Sequence, residues 1–166
     1  MGVAKSGKAV AGKGAKKGEA ARDVAIRRAT ASDLPAIVRL DEATTTQSKP
    51  DYWRDMLAQF SDRADTRAFL VAESGGRVVG FITGEIRAFE FGAEPCGWVF
   101  AVAVDPEIRV KNVGTRLFEE ICAIFQRAGV DKVSTLIGRD SDLVLAFFRS
   151  QGMIFGRYIQ MEKDLG

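Results

Sequence analysis

The unbroken apolar run at residues 98–104, closed by Asp105-Pro106, constrains this chain more than any other feature. It is far too short to span a membrane, which takes about 20 residues. An uninterrupted run of that length reads as a strand covered on both faces. A strand so covered needs helices above and below its sheet, which points to a layered α/β fold.

The flanking sequence supplies those layers. Residues 24–27 read as a first strand, and Thr30 with Asp33 three positions later forms a capping-box pattern. Leu34, Ile37, Val38 and Leu40 then give a helix to about Thr44. Pro50 opens a second helix whose inner side is Tyr52, Trp53, Met56, Leu57 and Phe60. Residues 68–73 and 77–86 are hairpin strands around Gly75-Gly76. After a connection over 87–95 comes the central strand, 97–104, and then an amphipathic helix over 113–128 with Leu117, Ile121, Ile124 and Phe125 on one face. Residues 132–137 form a strand, 142–150 a short helix stopped at Gly152, and 153–162 a last strand. The order β-α-α-β-β-β-α-β-α-β gives an α/β fold of α+β type, a mixed sheet with helices on both faces.

Residues 24–166 make one domain. Residues 1–23 are set apart by composition: Lys5, Lys8, Lys13, Lys16, Lys17 and Arg22 oppose only Glu19 and Asp23. The net charge of +2 therefore divides into +4 on this stretch and −2 on the rest. Its Gly, Ala and Lys content cannot bury enough apolar surface to offset ordering, so it is expected to be a disordered basic tail. It has no aromatic side chain for base stacking, which weighs against nucleic acid, and no apolar segment for a secretory signal. No membrane association is expected of the domain, and its location is expected to be cytoplasmic.

The chain contains no histidine. That excludes Ser-His-Asp and Cys-His triads, HExxH zinc sites and any imidazole acid or base. Cys96 and Cys122 are too few for a disulfide framework or a zinc cluster, so no metal is expected. Proton transfer must fall to carboxylates, Tyr, Cys, Lys, water or the substrate.

The chemistry concentrates where the apolar strand meets the following helix, in Val102-Ala103-Val104-Asp105-Pro106-Glu107-Ile108-Arg109-Val110-Lys111-Asn112-Val113-Gly114-Thr115. The first backbone N–H groups of a helix have no intrahelical partner and face the positive end of its dipole. Such a terminus stabilises phosphates, and Arg109 and Lys111 add formal charge. GxxxxGK[ST] and GxGxxG are both absent, so neither a P-loop nor a dinucleotide fingerprint is present.

Arg109-Val110-Lys111-Asn112-Val113-Gly114 resembles the acetyl-CoA loop, [Q/R]-x-x-G-x-[G/A], of the GNAT acetyltransferase superfamily, with Asn112 in place of the first Gly. Asn tolerates a left-handed backbone, so the turn is expected to survive. A second block, from Ser141 to the aromatic pair Phe147-Phe148 and Gly152-Met153, is similar to the family's N-x-x-A-x-x-[FLI]-Y-x-x-x-G-F pattern, with Phe148 where Tyr is frequent.

The resemblance implies a GNAT fold with a splayed central sheet and an N-acetyltransferase. This enzyme would move an acetyl group from acetyl-CoA, its cosubstrate, to a primary amine on a small molecule or protein in a ternary complex. The alternative is a non-catalytic acyl-CoA-binding sensor. Backbone groups at Val102 and Val104 would pair with pantetheine, and Val110, Lys111, Asn112, Val113, Gly114 and Thr115, with Arg109, would hold the pyrophosphate. Phe148 is placed at the cosubstrate. Glu85 and Tyr158 are the candidates for proton transfer, with Glu90 and Glu94 as further carboxylates. Asp41, Glu42 and Asp51 beside Tyr52 and Trp53 would suit a cationic acceptor. A homodimer is left open.

Overall fold

A computed structural model describes residues 24–88, 92–108 and 112–166. The expected basic tail, Glu90, Arg109, Val110 and Lys111 lie outside the described residues. The chain runs β1 (Val24–Arg28), α1 (Leu34–Thr45, entered through a 3-10 turn at Ala31–Asp33), α2 (Pro50–Ser61), β2 (Arg67–Ser74), β3 (Arg77–Arg87), β4 (Cys96–Val104), α3 (Val113–Arg127), β5 (Val133–Thr135) and α4 (Asp142–Ser150). The five strands lie in sequence order, β1 to β4 antiparallel and β5 parallel to β4.

Local chemistry sets the boundaries. Ahead of α1 the Thr30 N–H donates to Asp33 Oδ2 at 2.8 Å, while Arg27 clamps both oxygens of the same carboxylate at 2.8 Å each. Pro50 stands in the first turn of α2, where its missing N–H has no cost. Gly75 and Gly76 both adopt positive φ, 57° and 76°, as a two-residue hairpin turn requires. Gly129 and Gly152, at φ 85° and 83°, follow the ends of α3 and α4.

Two apolar layers flank the sheet. On one face α1 and α2 bring Ile37, Leu40, Trp53, Leu57 and Phe60 onto Phe69, Val71 and Phe81. On the other, α3 packs Leu117, Phe118, Ile121 and Phe125 against Leu70, Ile82 and Val99, with Phe148 of α4 in the same cluster. The layered architecture is thus as expected.

Two strands differ from their expected extent. β5 is expected over 132–137 and is only Val133–Thr135, because its pairing with β4 stops after Val99↔Thr135. The last strand expected over 153–162 does not form; residues 153–166 contain no regular secondary structure. Alternating apolar residues make a segment fit for a strand but do not supply a neighbour to pair with.

Candidate functional site

The site begins at an irregularity in β4. Thr83 pairs with Ala101 and Gly84 with Val99, so Phe100 is an extra residue, a β-bulge in β4. Before the bulge β4 is bonded on both sides, with the Gly97 N–H donating to the Lys132 carbonyl at 2.8 Å and Thr135 Oγ1 donating to the Val99 carbonyl at 3.0 Å. Past Val99 no described strand pairs with that edge. The Asp105 N–H donates to the Val79 carbonyl on β3 at 2.8 Å. Backbone direction alternates along a strand, so Ala103 also faces β3. Val102 and Val104 therefore present their N–H and C=O groups to the opening between β4 and β5. Their side chains pack against the α3 core.

Asp105 ends the strand and shapes the turn after it. Nearly buried, it accepts from the Glu107 N–H at 3.0 Å and from Arg39 at 3.1 Å. The Glu107 N–H foremost, and then the Arg39 and Arg77 guanidinium groups, hold its carboxyl below the usual carboxylate range. In the sequence only the Val-Asp-Pro flank hints at this anchor; its signal is a carboxylate directly after a buried strand.

At the far side of the loop, Asn112 caps α3 with φ 76° and ψ 15°, the left-handed conformation that Gly would otherwise supply. Arg116 is the first residue of this turn whose N–H bonds back to Asn112, at 2.9 Å. The N–H groups of Val113, Gly114 and Thr115 precede it and have no helical acceptor. A Cβ on Gly114 would stand 3.0 Å from Phe147 Cε2 and 3.7 Å from Val104 Cγ2. Close approach of α3 to Phe147 and Val104 is thus one reason for glycine here. The ring facing the start of α3 is Phe147, whereas Phe148 is 3% exposed inside the core against Phe118. Gln151 Nε2 donates to Thr115 Oγ1 at 3.1 Å, tying the end of α4 to the first turn of α3.

The candidate proton-transfer groups lie apart. Glu85, opposite Trp98 on β3, accepts from Arg67 Nε at 3.2 Å and from Arg87 Nε at 3.4 Å. Arg87 also stacks over the Trp98 and Phe100 rings, 4.9 and 5.0 Å from their centroids, which ties Glu85 to the bulge. Tyr158 is 62% exposed in the segment after α4, and its hydroxyl accepts from Arg157 at 3.1 Å. Glu94 is exposed.

Asp41 is buried rather than presented to an acceptor. It accepts from Trp53 Nε1 at 2.9 Å and pairs with Lys49 at 3.0 Å, while Glu42 and Asp51 are exposed. Burial pushes the Tyr52 hydroxyl above its ordinary value and the Cys122 thiol up to about 11, so Cys122 is a packing residue and not a thiolate.

A shallow cleft lined by Arg28, Leu57, Phe60, Ser61, Ala64 and Phe69 sits at the β1–β2 side of the sheet, remote in strand order from the β4 opening. Among the described residues no three potential metal ligands cluster, and no helix is long and apolar enough to cross a membrane.

The geometry agrees with what the chain is similar to. Among curated proteins, the mycothiol acetyltransferase of Thermobispora bispora is 32% identical over 89 residues. That match covers 53% of this chain and 30% of the relative, so the chain spans less than a third of the relative's length. Among solved structures, the aminoglycoside N-acetyltransferase AAC(6')-Iy in complex with CoA superposes with a TM-score of 0.74 at 16% identity, covering 87% of this chain and 96% of that one. The glucosamine-6-phosphate N-acetyltransferase of Arabidopsis thaliana gives 0.68 at 20% identity, over 87% and 100% of the two chains. An aminoglycoside 6'-N-acetyltransferase from Acinetobacter baumannii gives 0.72 at 17%, with the same coverage. At these identities the structural likeness establishes the fold. The model of the acetyltransferase (GNAT) family matches residues 34–153, from α1 to just past α4, and the chain belongs to that family.

Proposed function

We propose that this chain transfers an acetyl group from acetyl-CoA to the primary amine of a small molecule, by direct attack within a ternary complex. One observation carries the reading: β4 leaves the Val102 and Val104 backbone groups open at a bulge, beside the α3 N-terminus. An extended chain of amides fits a strand edge, and a pyrophosphate fits unpaired helical N–H groups. The Val113, Gly114 and Thr115 N–H groups hold the phosphates beside Asn112, with Arg109 and Lys111 as counter-charges and Val110 assigned to the same role by the motif.

The amine lone pair attacks the thioester carbonyl carbon, and the C–S bond then breaks to leave the CoA thiolate. Backbone N–H groups at the bulge stabilise the oxyanion, a contribution that needs no imidazole. Glu85 receives the amine's proton through water, since both its oxygens already accept from arginines. Thiolate protonation is assigned to solvent, because the Tyr158 hydroxyl stands in it. The small-molecule acceptor is inferred from neighbours named for aminoglycosides and glucosamine-6-phosphate; the location is read as cytoplasmic.

The test is thiol release from acetyl-CoA over a panel of aminoglycosides, amino-sugar phosphates and polyamines. Amine-dependent release is expected, with Glu85→Gln lowering kcat by about 10²-fold at unchanged acetyl-CoA affinity. Tight acetyl-CoA binding without release toward any amine would sink the transfer reading.

A further inference from the structure

The carboxylates that would suit a cationic acceptor are already engaged. Asp41 is closed between Trp53 Nε1 and Lys49, and Asp51 bridges Arg54 at 2.8 Å. The Lys49 ammonium itself stands 6.0 and 5.9 Å from the Tyr52 and Trp53 ring centroids, where a cationic acceptor would need to be. The charge offered at the β4 bulge has the opposite sign.

Side chains at alternate positions of a strand share a face. Phe69 of β2 and Phe81 of β3 lie against the α1–α2 layer, so Arg67 on β2 and Glu85 and Arg87 on β3 belong to that face as well. Trp98 pairs with Glu85, and Phe100 is the bulged residue. The Arg87 guanidinium lies 4.9 Å over the Trp98 ring and 5.0 Å over Phe100, while Arg67 lies 5.4 Å over Phe60. One carboxylate serves both cations. Glu85 accepts from Arg67 Nε at 3.2 Å and from Arg87 Nε at 3.4 Å, the second beyond the usual range of such a bond. The three charged side chains keep 24–33% of their surface exposed, so the row can be reached from solvent. Glu94 is exposed and joins no ion pair among the described residues.

Two fixed cations sharing one anion leave a charge to be neutralised. A guanidinium carries five N–H donors in one plane. Stacking on a ring occupies its face and leaves its edge available, so Arg87 is a preformed fork for a carboxylate or a phosphate. Two rings hold it in place, which lowers the entropy lost on binding. Its position matters as much as its sign. The α3 N-terminus, on the other face of the sheet, takes the phosphate end of the carrier in the proposed reaction. The approach to the bulge left for the amine is then the α1–α2 face, where Phe100 and Arg87 stand.

We propose that the acceptor carries an anionic group, a carboxylate or a phosphate, beside its primary amine, and that Arg87, backed by Arg67, binds that group while the nitrogen reaches the bulge. The proposal rests on the transfer reading for the place of the amine.

Matched acceptors test it: glucosamine-6-phosphate against glucosamine, and a set of amino acids against their amides, each assayed for thiol release from acetyl-CoA. In one of the two sets the anionic member should have the higher kcat/KM by about 10–100-fold, the range of a charge-assisted hydrogen bond. Which set shows it separates phosphate from carboxylate. Arg87→Gln should bring that ratio to within about threefold of one, acting through KM. A loss common to both members, as from a disturbance of Glu85, cancels in the ratio. Arg87→Lys, which keeps the charge without the fork, should recover part of the preference. Circular dichroism reports folding, and if Arg87→Gln loses the parent spectrum, Arg87→Lys carries the comparison. Equal or better use of neutral or polycationic amines overturns the proposal, as does a ratio unmoved by the substitution. Absence of thiol release with every amine is instead the failure of the transfer reading, and calorimetry on the CoA complex then decides the site. There glucosamine-6-phosphate or an amino acid should bind more tightly than its neutral counterpart and lose the advantage in the variant; equal binding overturns the proposal.

Discussion

Asn112 shows how one side chain can stand in for a glycine. Its φ of 76° would strain most L-residues by about 1 kcal/mol or more, and Asn less than most. Asn112→Gly should therefore leave stability within a few tenths of a kcal/mol and retain acetyl-CoA binding, whereas Asn112→Val should cost about 1–2 kcal/mol and weaken binding. Urea unfolding and titration calorimetry measure the two effects separately. Asp33 has a different kind of necessity. The Arg27 guanidinium, foremost, with the Thr30 N–H and hydroxyl, holds its carboxyl at about 2 against the desolvation of its site. The folded state then binds fewer protons than the unfolded state as pH falls below about 4, so Asp33's contribution is complete above that and is lost on the way down to about 2. Acid unfolding followed by fluorescence should show a decline across this window that Asp33→Asn, already destabilised at neutral pH, largely lacks.

Among the elements, the packing of α3 on the sheet depends on one missing side chain. A Cβ on Gly97 would lie 2.1 Å from Phe125 Cδ2, and Phe125 is only 2% exposed, packed inside the core. Gly97→Ala should cost about 2–3 kcal/mol, and Phe125→Leu in the same chain should recover part of it. A double-mutant cycle from denaturant midpoints reads this coupling. Helices and the first four strands are legible because their signals are local: Pro50 at a helix start, Gly75-Gly76 in a hairpin, a 3.6-residue stripe from Leu117 to Phe125. The extent of β5 is not, because nothing in its own residues records where β4 diverges from it. The segment after Gly152 carries apolar residues suited to a strand, and among the described residues no strand pairs with it. At the site, the motif locates the Asn112 turn and the open β4 edge. It does not tell which of two adjacent phenylalanines faces the start of α3 at Gly114, a matter of about 100° of helical rotation, nor that Asp41 and Glu85 are already engaged by Lys49, Arg67 and Arg87.

At the scale of the whole molecule, family membership, the layered sheet and the open β4 edge fit one another, and the absence of histidine suits chemistry that relies on oriented backbone amides. The divergence of β4 from β5 has a consequence for how the sheet behaves in time. A strand edge left open breathes, so the Val102 and Val104 amides should exchange with deuterium faster than Ala103, which faces β3. Acetyl-CoA lying along that edge would act as a removable strand. Hydrogen-exchange mass spectrometry should therefore find residues 101–105 slowed on its addition, by about tenfold or more at saturation. The carrier would then complete the scaffold, and an amine reaching the bulge before it would meet a sheet still lacking one of its members.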